Sequence, residues 1–143
     1  MTVKFQKLNE RAVLPTYSHP GDAGMDLYSL EDKTLKSGER CIFGTGLAVE
    51  IPNGYVGLIW ERSGLATREG LVALGGVIDS GYRGEIGVAL WNLSKKSVTI
   101  SKGDRIAQLL VQPVLSCKIK EASKLSNTKR GDGGFGSTNA KNT

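Results

Sequence analysis

A single acidic residue, Asp79, ends an apolar stretch and enters the glycine-rich segment Gly75–Gly84 (GGVIDSGYRG). A carboxylate held at the rim of a β-scaffold can orient and deprotonate a water molecule, which is general-base chemistry. The same residue type also stabilises turns by binding its own backbone. The position of Asp79 alone leaves both interpretations open.

Groups suited to binding an anion occur at two further positions. Arg62 precedes the stretch Ser63–Gly70, whose N-cap serine, helix formers and closing glycine predict one short helix. Free N–H groups at its start, a hydroxyl and a guanidinium would favour phosphate, although an ordinary capping serine beside a surface arginine fits as well. Gln108 lies in an alternating pattern and either joins such a site or faces solvent.

The tail from Arg130 to Thr138 (RGDGGFGST) combines a guanidinium, glycines, one aromatic ring and two hydroxyls. Backbone N–H groups in such a loop can form an anion-binding concavity. Gly131 and Gly136 have Walker A spacing, but no lysine follows the second glycine and no helix is predicted next, which excludes a P-loop. A disordered polar end is the alternative. An adhesion role for Arg-Gly-Asp is disfavoured because no secretion signal is present.

Short apolar runs separated by turn residues must position these groups. The runs are Cys41–Phe43, Tyr55–Trp60, Glu85–Trp91, Ser97–Ile100 and Ile106–Val111. Turn signals such as Pro52-Asn53-Gly54 and Lys102-Gly103-Asp104 separate them. Many short strands at regular spacing predict an all-β sandwich or barrel.

Length and charge limit the function classes. A chain of 143 residues fits one domain, and no apolar stretch approaches the roughly 18 residues of a membrane span. With no secretory segment at the start, a soluble, unexported protein is expected. Residues 115–143 hold six basic and two acidic side chains, so they carry most of the net charge of +5. Such a segment is either solvated or meets a polyanion.

The cysteines and the histidine restrict metal chemistry. Cys41 and Cys117 form no C-x-x-C pair and are expected to be buried, reduced thiols. His19 is the only histidine, so no second one is present for a zinc site or a catalytic dyad. Any metal should therefore prefer oxygen ligands, which favours magnesium.

The candidate catalytic and anion-binding groups fall within five spaced motifs that resemble those of the trimeric dUTPase family. The motifs are Ala23–Leu27 (AGMDL), Arg62–Ala66 (RSGLA), Gly76–Gly84 (GVIDSGYRG), Gly103–Gln108 (GDRIAQ) and Arg130–Thr138 (RGDGGFGST). They span nearly the whole chain, and coincidence would have to supply all five in order.

The resemblance implies an all-β, jelly-roll-like β-barrel over residues 1–120, with one short helix, and a flexible C-terminal arm over residues 121–143. It implies a homotrimer with shared active sites that hydrolyses dUTP to dUMP and pyrophosphate with Mg2+ on the triphosphate. This reaction keeps uracil out of DNA and supplies dUMP for dTMP synthesis. The expected location is the cytoplasm, or the nucleus for a eukaryotic or viral protein, and neither membrane nor nucleic-acid binding is expected.

The resemblance also implies roles for individual residues. Asp79 matches the aspartate that activates the attacking water, and Asp26 matches one that supports metal-bound waters and nearby arginines. Tyr82 would pack on the deoxyribose and leave no room for a 2'-hydroxyl, while Phe135 would stack on uracil. The positions implied to read uracil are Gly76, Val77, Ile78 and Gly87. The positions implied to bind phosphate are Arg62, Ser63, Gly64, Gln108, Arg130, Gly136, Ser137 and Thr138.

Two positions depart from the family pattern. Glu61 stands where the family usually has proline, and its carboxylate could pair with Arg62 or point to solvent. Gly81 replaces a frequent acidic residue beside Asp79.

Two other functions are disfavoured. A dCTP deaminase shares the fold but needs a catalytic glutamate in the strand after the aspartate turn, where Ala89 aligns. A non-catalytic binding module would account for the basic tail, but Asp79, Tyr82 and Phe135 are all intact.

Overall fold

A computed structural model describes residues 1–134, which form ten β-strands and one helical turn. The strands are β1 Lys4–Lys7, β2 Met25–Tyr28, β3 Lys33–Leu35, β4 Arg40–Glu50, β5 Tyr55–Trp60, β6 Leu71–Leu74, β7 Val77–Ile78, β8 Glu85–Asn92, β9 Val98–Ile100 and β10 Arg105–Pro113. The turn is a π-helical segment, Leu65–Glu69. The predicted all-β class is confirmed.

Two four-stranded antiparallel sheets enclose the core. Their strand orders are β1-β4-β8-β6 and β2-β10-β5-β7, and the small sheet β3-β9 adds a third pair. Strand β8 alternates exposed and buried residues, because one face of each strand packs on the core. Leu27, Phe43 and Leu109 are fully buried and come from three different strands. Two packed sheets of this kind form the predicted jelly-roll-like fold.

The predicted runs correspond to real strands. Tyr55–Trp60 coincides with β5, and the other four runs lie within or overlap β4, β8, β9 and β10. The turn signals also hold, since Gly54 and Gly103 have φ angles of 83° and 86°, a region that glycine adopts without steric cost.

The predicted helix exists, but its start differs from the prediction. Gly64 is the N-cap and no side chain caps the segment, so Ser63 is not the capping residue. The Ser63 carbonyl instead accepts a hydrogen bond of 2.7 Å from the Thr67 hydroxyl. Gly70 ends the segment in the left-handed conformation, as predicted.

The expectation of two buried thiols is wrong. Both cysteines are free, but Cys41 is only half-buried and Cys117 is exposed. Cys117 follows the last strand, in a largely exposed stretch without strand or helix.

A bulge in β4 fixes the start of β8. The pairing of the two strands shifts register between Gly44 and Ala48. Inside the bulge, Gly46 N donates to the Glu85 carboxylate at 2.7 Å, and the buried Thr45 hydroxyl donates to Ile86 O at 2.8 Å. The bulge therefore holds the first residues of β8 through side-chain hydrogen bonds.

Residues 114–134 form no strand or helix and are largely exposed. Arg130 closes a local turn, because its Nε donates to Gly133 O at 2.9 Å. The predictions for Phe135, Gly136, Ser137 and Thr138 concern positions outside the described residues. Within residues 1–134, no helix is long and apolar enough to cross a membrane.

Candidate active site

A cavity of about 190 Å³ lies beside β5, β7 and the start of β8, and we call it the small cavity. Ile59 N donates to Gly76 O at 2.7 Å, and a methyl group on Gly76 would lie 2.7 Å from Ile59 O. Gly76 also has a φ of 95°, so both space and conformation require glycine there. The residues that line the small cavity are Ile59, Gly76, Val77, Ile78, Asp79, Tyr82, Glu85, Ile86 and Gly87.

The turn after β7 leaves the Asp79 carboxylate exposed at the small cavity. Tyr82 N donates to the Asp79 backbone carbonyl at 3.0 Å, and Arg83 donates to Ser80 O at 2.7 Å. Among residues 1–134, no donor binds the Asp79 carboxylate. Its side chain therefore does not stabilise the turn, and the carboxylate is available to a water molecule or a ligand.

Tyr82 is fixed beside the same cavity. Its hydroxyl donates to Glu85 O at 3.0 Å, and the ring passes so close to Gly84 that a methyl group there would meet the hydroxyl. The ring remains 46% exposed. The exposed part of the ring can therefore contact a ligand in the small cavity.

A larger cavity of about 940 Å³, which we call the arginine basin, lies beside β2, β10 and the π-helical turn. The residues that line it are Thr16, Ser18, His19, Asp22, Ala23, Gly24, Asp26, Tyr28, Arg62, Ser63, Gly64, Arg68, Arg105 and Gln108. It therefore brings together five predicted site residues from three motifs.

The sequence-based assignment missed two arginines of the basin. Arg105 lies inside the motif Gly103–Gln108, where only the glutamine was assigned a role. Arg68 lies four residues after Gly64 on the π-helical turn. Residues four apart on a helix lie on the same face, so the predicted helix could have placed the Arg68 side chain near Gly64.

Asp26, in β2, is 6% exposed and bridges two arginines. Its Oδ1 accepts from Arg62 Nε at 2.9 Å, and its Oδ2 accepts from Arg105 Nη1 at 3.2 Å and from the Ser18 hydroxyl at 2.8 Å. A buried carboxylate requires such partners. Both carboxylate oxygens of Asp26 therefore already accept hydrogen bonds from protein donors.

Gln108 does not face solvent. It is half-buried in β10, and its Nε2 donates to the backbone carbonyl of Glu61 at 3.0 Å. A methyl group on Gly24 would collide with the Gln108 amide, so glycine is needed at that position. Because Arg62 binds Asp26, the predicted alternative of a Glu61–Arg62 ion pair is not observed.

The small cavity and the arginine basin share no lining residue within residues 1–134. Asp79 and the predicted phosphate ligands therefore line different cavities of one chain. In the same described part, no three His, Cys, Asp or Glu side chains are close enough to hold a metal ion.

Comparison with known proteins identifies the family. The dUTPase family model matches residues 10–139. The chain belongs to the dUTPase family. The prediction of an enzyme of this family is thereby confirmed.

The curated relatives of this dUTPase family member match along its whole length. Deoxyuridine 5'-triphosphate nucleotidohydrolase from Hydrogenobaculum sp. is 49% identical and covers 99% of this chain and 100% of its own. The protein of the same name from Nautilia profundicola is 50% identical, with 96% and 99% of the two chains covered.

Solved dUTPase structures share the fold. The dUTPase of Staphylococcus bacteriophage 80alpha, as a mutant with dUpNHpp, superposes with a TM-score of 0.90 at 32% identity over 96% of this chain and 98% of that one. A mutant dUTPase from phage phi11 of S. aureus, described with a structural Mg(II) ion, gives a TM-score of 0.83 at 30% identity over 89% and 100%.

The bridging carboxylate gives a stability prediction. Replacing Asp26 with Asn removes the negative charge between two guanidiniums, so the free energy of unfolding should fall by about 1–2 kcal/mol, the partial exposure of both arginines being taken into account. Asp22→Asn changes an exposed aspartate at the edge of the same basin and should cost less than about 0.5 kcal/mol. Urea unfolding at fixed protein concentration measures both, and equal losses would contradict the structural role of Asp26.

Proposed function

We propose that this dUTPase family member hydrolyses dUTP to dUMP and pyrophosphate, which keeps uracil out of DNA and supplies dUMP for dTMP synthesis. The observation that carries the proposal is the exposed Asp79 carboxylate, which lines the small cavity and has no donor in the described chain. Family membership supplies the reaction class.

The small cavity would hold the nucleoside. The backbone of Gly76, Val77 and Ile78, with Gly87 opposite, would form hydrogen bonds to uracil, since these residues line the cavity. The Tyr82 ring would lie on the deoxyribose and exclude a 2'-hydroxyl. In so small a space the thymine methyl group would be rejected by overpacking.

The phosphates would bind in the arginine basin. Arg62, Ser63, Gly64 and Gln108 all line it, and Gln108 Nε2 carries a second hydrogen beyond the one that Glu61 O accepts. Because Asp26 holds Arg62, that guanidinium is already in position when a phosphate arrives. Positioning and charge stabilisation are the main contributions a protein makes to phosphoryl transfer.

Hydrolysis would start at Asp79. Its carboxylate takes a proton from a water molecule, and the water oxygen attacks the α-phosphorus. The bond between that phosphorus and the bridging oxygen to the β-phosphate breaks, and pyrophosphate leaves with the electron pair. The products are dUMP and pyrophosphate, and the water contributes the oxygen that dUMP gains.

Magnesium fits this site as a phosphate-bound ion. The described residues contain no cluster of three metal-binding side chains, and both Asp26 oxygens bind protein donors. Mg2+ would therefore be held by the substrate phosphates and water, with Asp26 acting indirectly. The ion would offset the charge of the triphosphate.

The separation of the two cavities supports a homotrimer with shared sites. Within one chain the proposed base and the proposed phosphate ligands line different cavities, so a second subunit would supply the missing half. Residues 1–120 would form the barrel and residues 121–143 a flexible arm. That arm would close on the substrate through Arg130, Phe135, Gly136, Ser137 and Thr138. The cytoplasm is the proposed location, or the nucleus for a eukaryotic or viral protein, without membrane or nucleic-acid partners.

Substrate selectivity tests the proposal directly. We expect purified protein with Mg2+ to release pyrophosphate from dUTP at least about 100-fold more efficiently than from dTTP, dCTP or UTP, because each competitor adds or alters a group at the small cavity. Pyrophosphate release is measured for each nucleotide in parallel. Release from all four, or from none, would overturn the proposed function.

Replacing the proposed base separates binding from chemistry. Asp79→Asn keeps the shape of an exposed side chain, so turnover should fall by at least about 100-fold while affinity for a non-hydrolysable dUTP analogue stays within about threefold. Glu10→Gln, which removes an exposed carboxylate outside both cavities, is the control. Single-turnover kinetics and calorimetry measure the two quantities. Unchanged turnover would reassign the base.

Truncation tests the arm and the trimer. Deleting residues 128–143 should leave the assembly mass at about three chains but abolish most activity, since the arm lies outside the strands. Deleting only residues 140–143 leaves all proposed ligands in place and should change little. Light scattering gives the mass, with 15.3 kDa for one full chain. Monomers after the longer deletion would show that the arm is structural.

A further inference from the structure

Arg68 is the third arginine that lines the arginine basin. Its side chain is exposed and, within residues 1–134, it forms no ion pair. Arg68 is therefore a guanidinium with its charge still available to a ligand.

The π-helical turn places this guanidinium beside proposed phosphate ligands. A methyl group on Gly64 would lie only 2.8 Å from Arg68 Nη2, so the guanidinium extends over the Gly64 backbone. The turn that carries it is fixed by the Thr67–Ser63 hydrogen bond and by Gly70 N, which donates to Leu65 O. Arg68 is thus positioned toward the start of the turn.

The charges in the basin make Arg68 distinct from the other two arginines. Arg62 and Arg105 share the carboxylate of Asp26, so part of their charge is already compensated. Asp22, the other acidic residue of the basin, lies 3.4 Å from His19 Nδ1 and accepts from His19 N. Three arginines against two aspartates give the lining a net positive charge, and Arg68 is the one of the three that has no carboxylate partner among residues 1–134.

We propose that Arg68 binds the β- and γ-phosphates of the substrate, an assignment that rests on the proposed function. The α-phosphorus must lie within reach of a water on Asp79, at the small cavity, whereas Arg68 lines only the basin. Arg68 is therefore assigned to the part of the triphosphate farther from Asp79, which leaves as pyrophosphate. The planar guanidinium suits two phosphate oxygens at once, which a lysine ammonium binds only as a point charge.

Steady-state kinetics of Arg68→Gln, Arg68→Lys and a control test this assignment. The control is Arg11→Gln, which removes the same charge from an exposed loop outside both cavities. We expect Arg68→Gln to raise the KM for dUTP about tenfold with kcat within about twofold, Arg68→Lys to give a smaller rise, and the control to change KM less than about twofold. Inhibition by dUMP, which lacks the terminal phosphates, should be unchanged in all three.

Three results would overturn the assignment. An equal rise in KM for Arg11→Gln would show a general charge effect. A proportional loss of dUMP inhibition would place Arg68 at the α-phosphate, and an unchanged KM in Arg68→Gln would remove it from the site. Thermal unfolding of each variant identifies any loss that comes from the fold.

Inorganic pyrophosphate separates this inference from the proposed function. Calorimetric binding of pyrophosphate with Mg2+ requires no hydrolysis, and Arg68→Gln should weaken it about tenfold relative to Arg11→Gln. Inactive wild-type protein that still shows this difference would refute dUTP hydrolysis and support the Arg68 site. Active wild-type protein in which both variants bind pyrophosphate equally would refute the Arg68 site alone.

Discussion

The carboxylate of Asp26 connects the elements that form the arginine basin. Asp26 is buried in β2, which pairs with β10. The backbone N of Asp26 donates to Thr16 O at 2.8 Å. The charge partners come from the end of β5 and the start of β10, through Arg62 and Arg105. A buried carboxylate without partners would cost several kcal/mol, so the fold and the arginine positions depend on each other.

This ion bridge also sets the electrostatics of the basin. Holding Arg62 and Arg105 on one carboxylate restricts their side chains before any ligand arrives, which reduces the conformational entropy lost on binding. The same carboxylate compensates part of their charge. Part of the positive potential that attracts a polyanion must therefore come from basic side chains that form no ion pair with a carboxylate. Arg68 and the basic residues between 115 and 134 are such groups, since none of them forms an ion pair within residues 1–134.

Local patterns predicted some elements better than others for a physical reason. Tyr55–Trp60 is continuous, apolar and bounded by turn residues, and it is β5 to the residue. β2 (Met25–Tyr28) was not predicted as a strand, because its second residue, Asp26, is a buried charge that no apolar pattern anticipates. The motif located Gln108 but not its bond to Glu61 O. That contact depends on how β10 pairs with β5, and the register of two strands so far apart in sequence does not follow from a local pattern.

The residues proposed for the chemistry are divided between two cavities of the chain. β5 contributes to both regions, since Ile59 lines the small cavity and Arg62, just beyond the strand, lines the basin. A nucleotide bound in the small cavity of one chain would then need the basin of another. Under the proposed function, hydrolysis depends on assembly, and an isolated chain would lack a complete site.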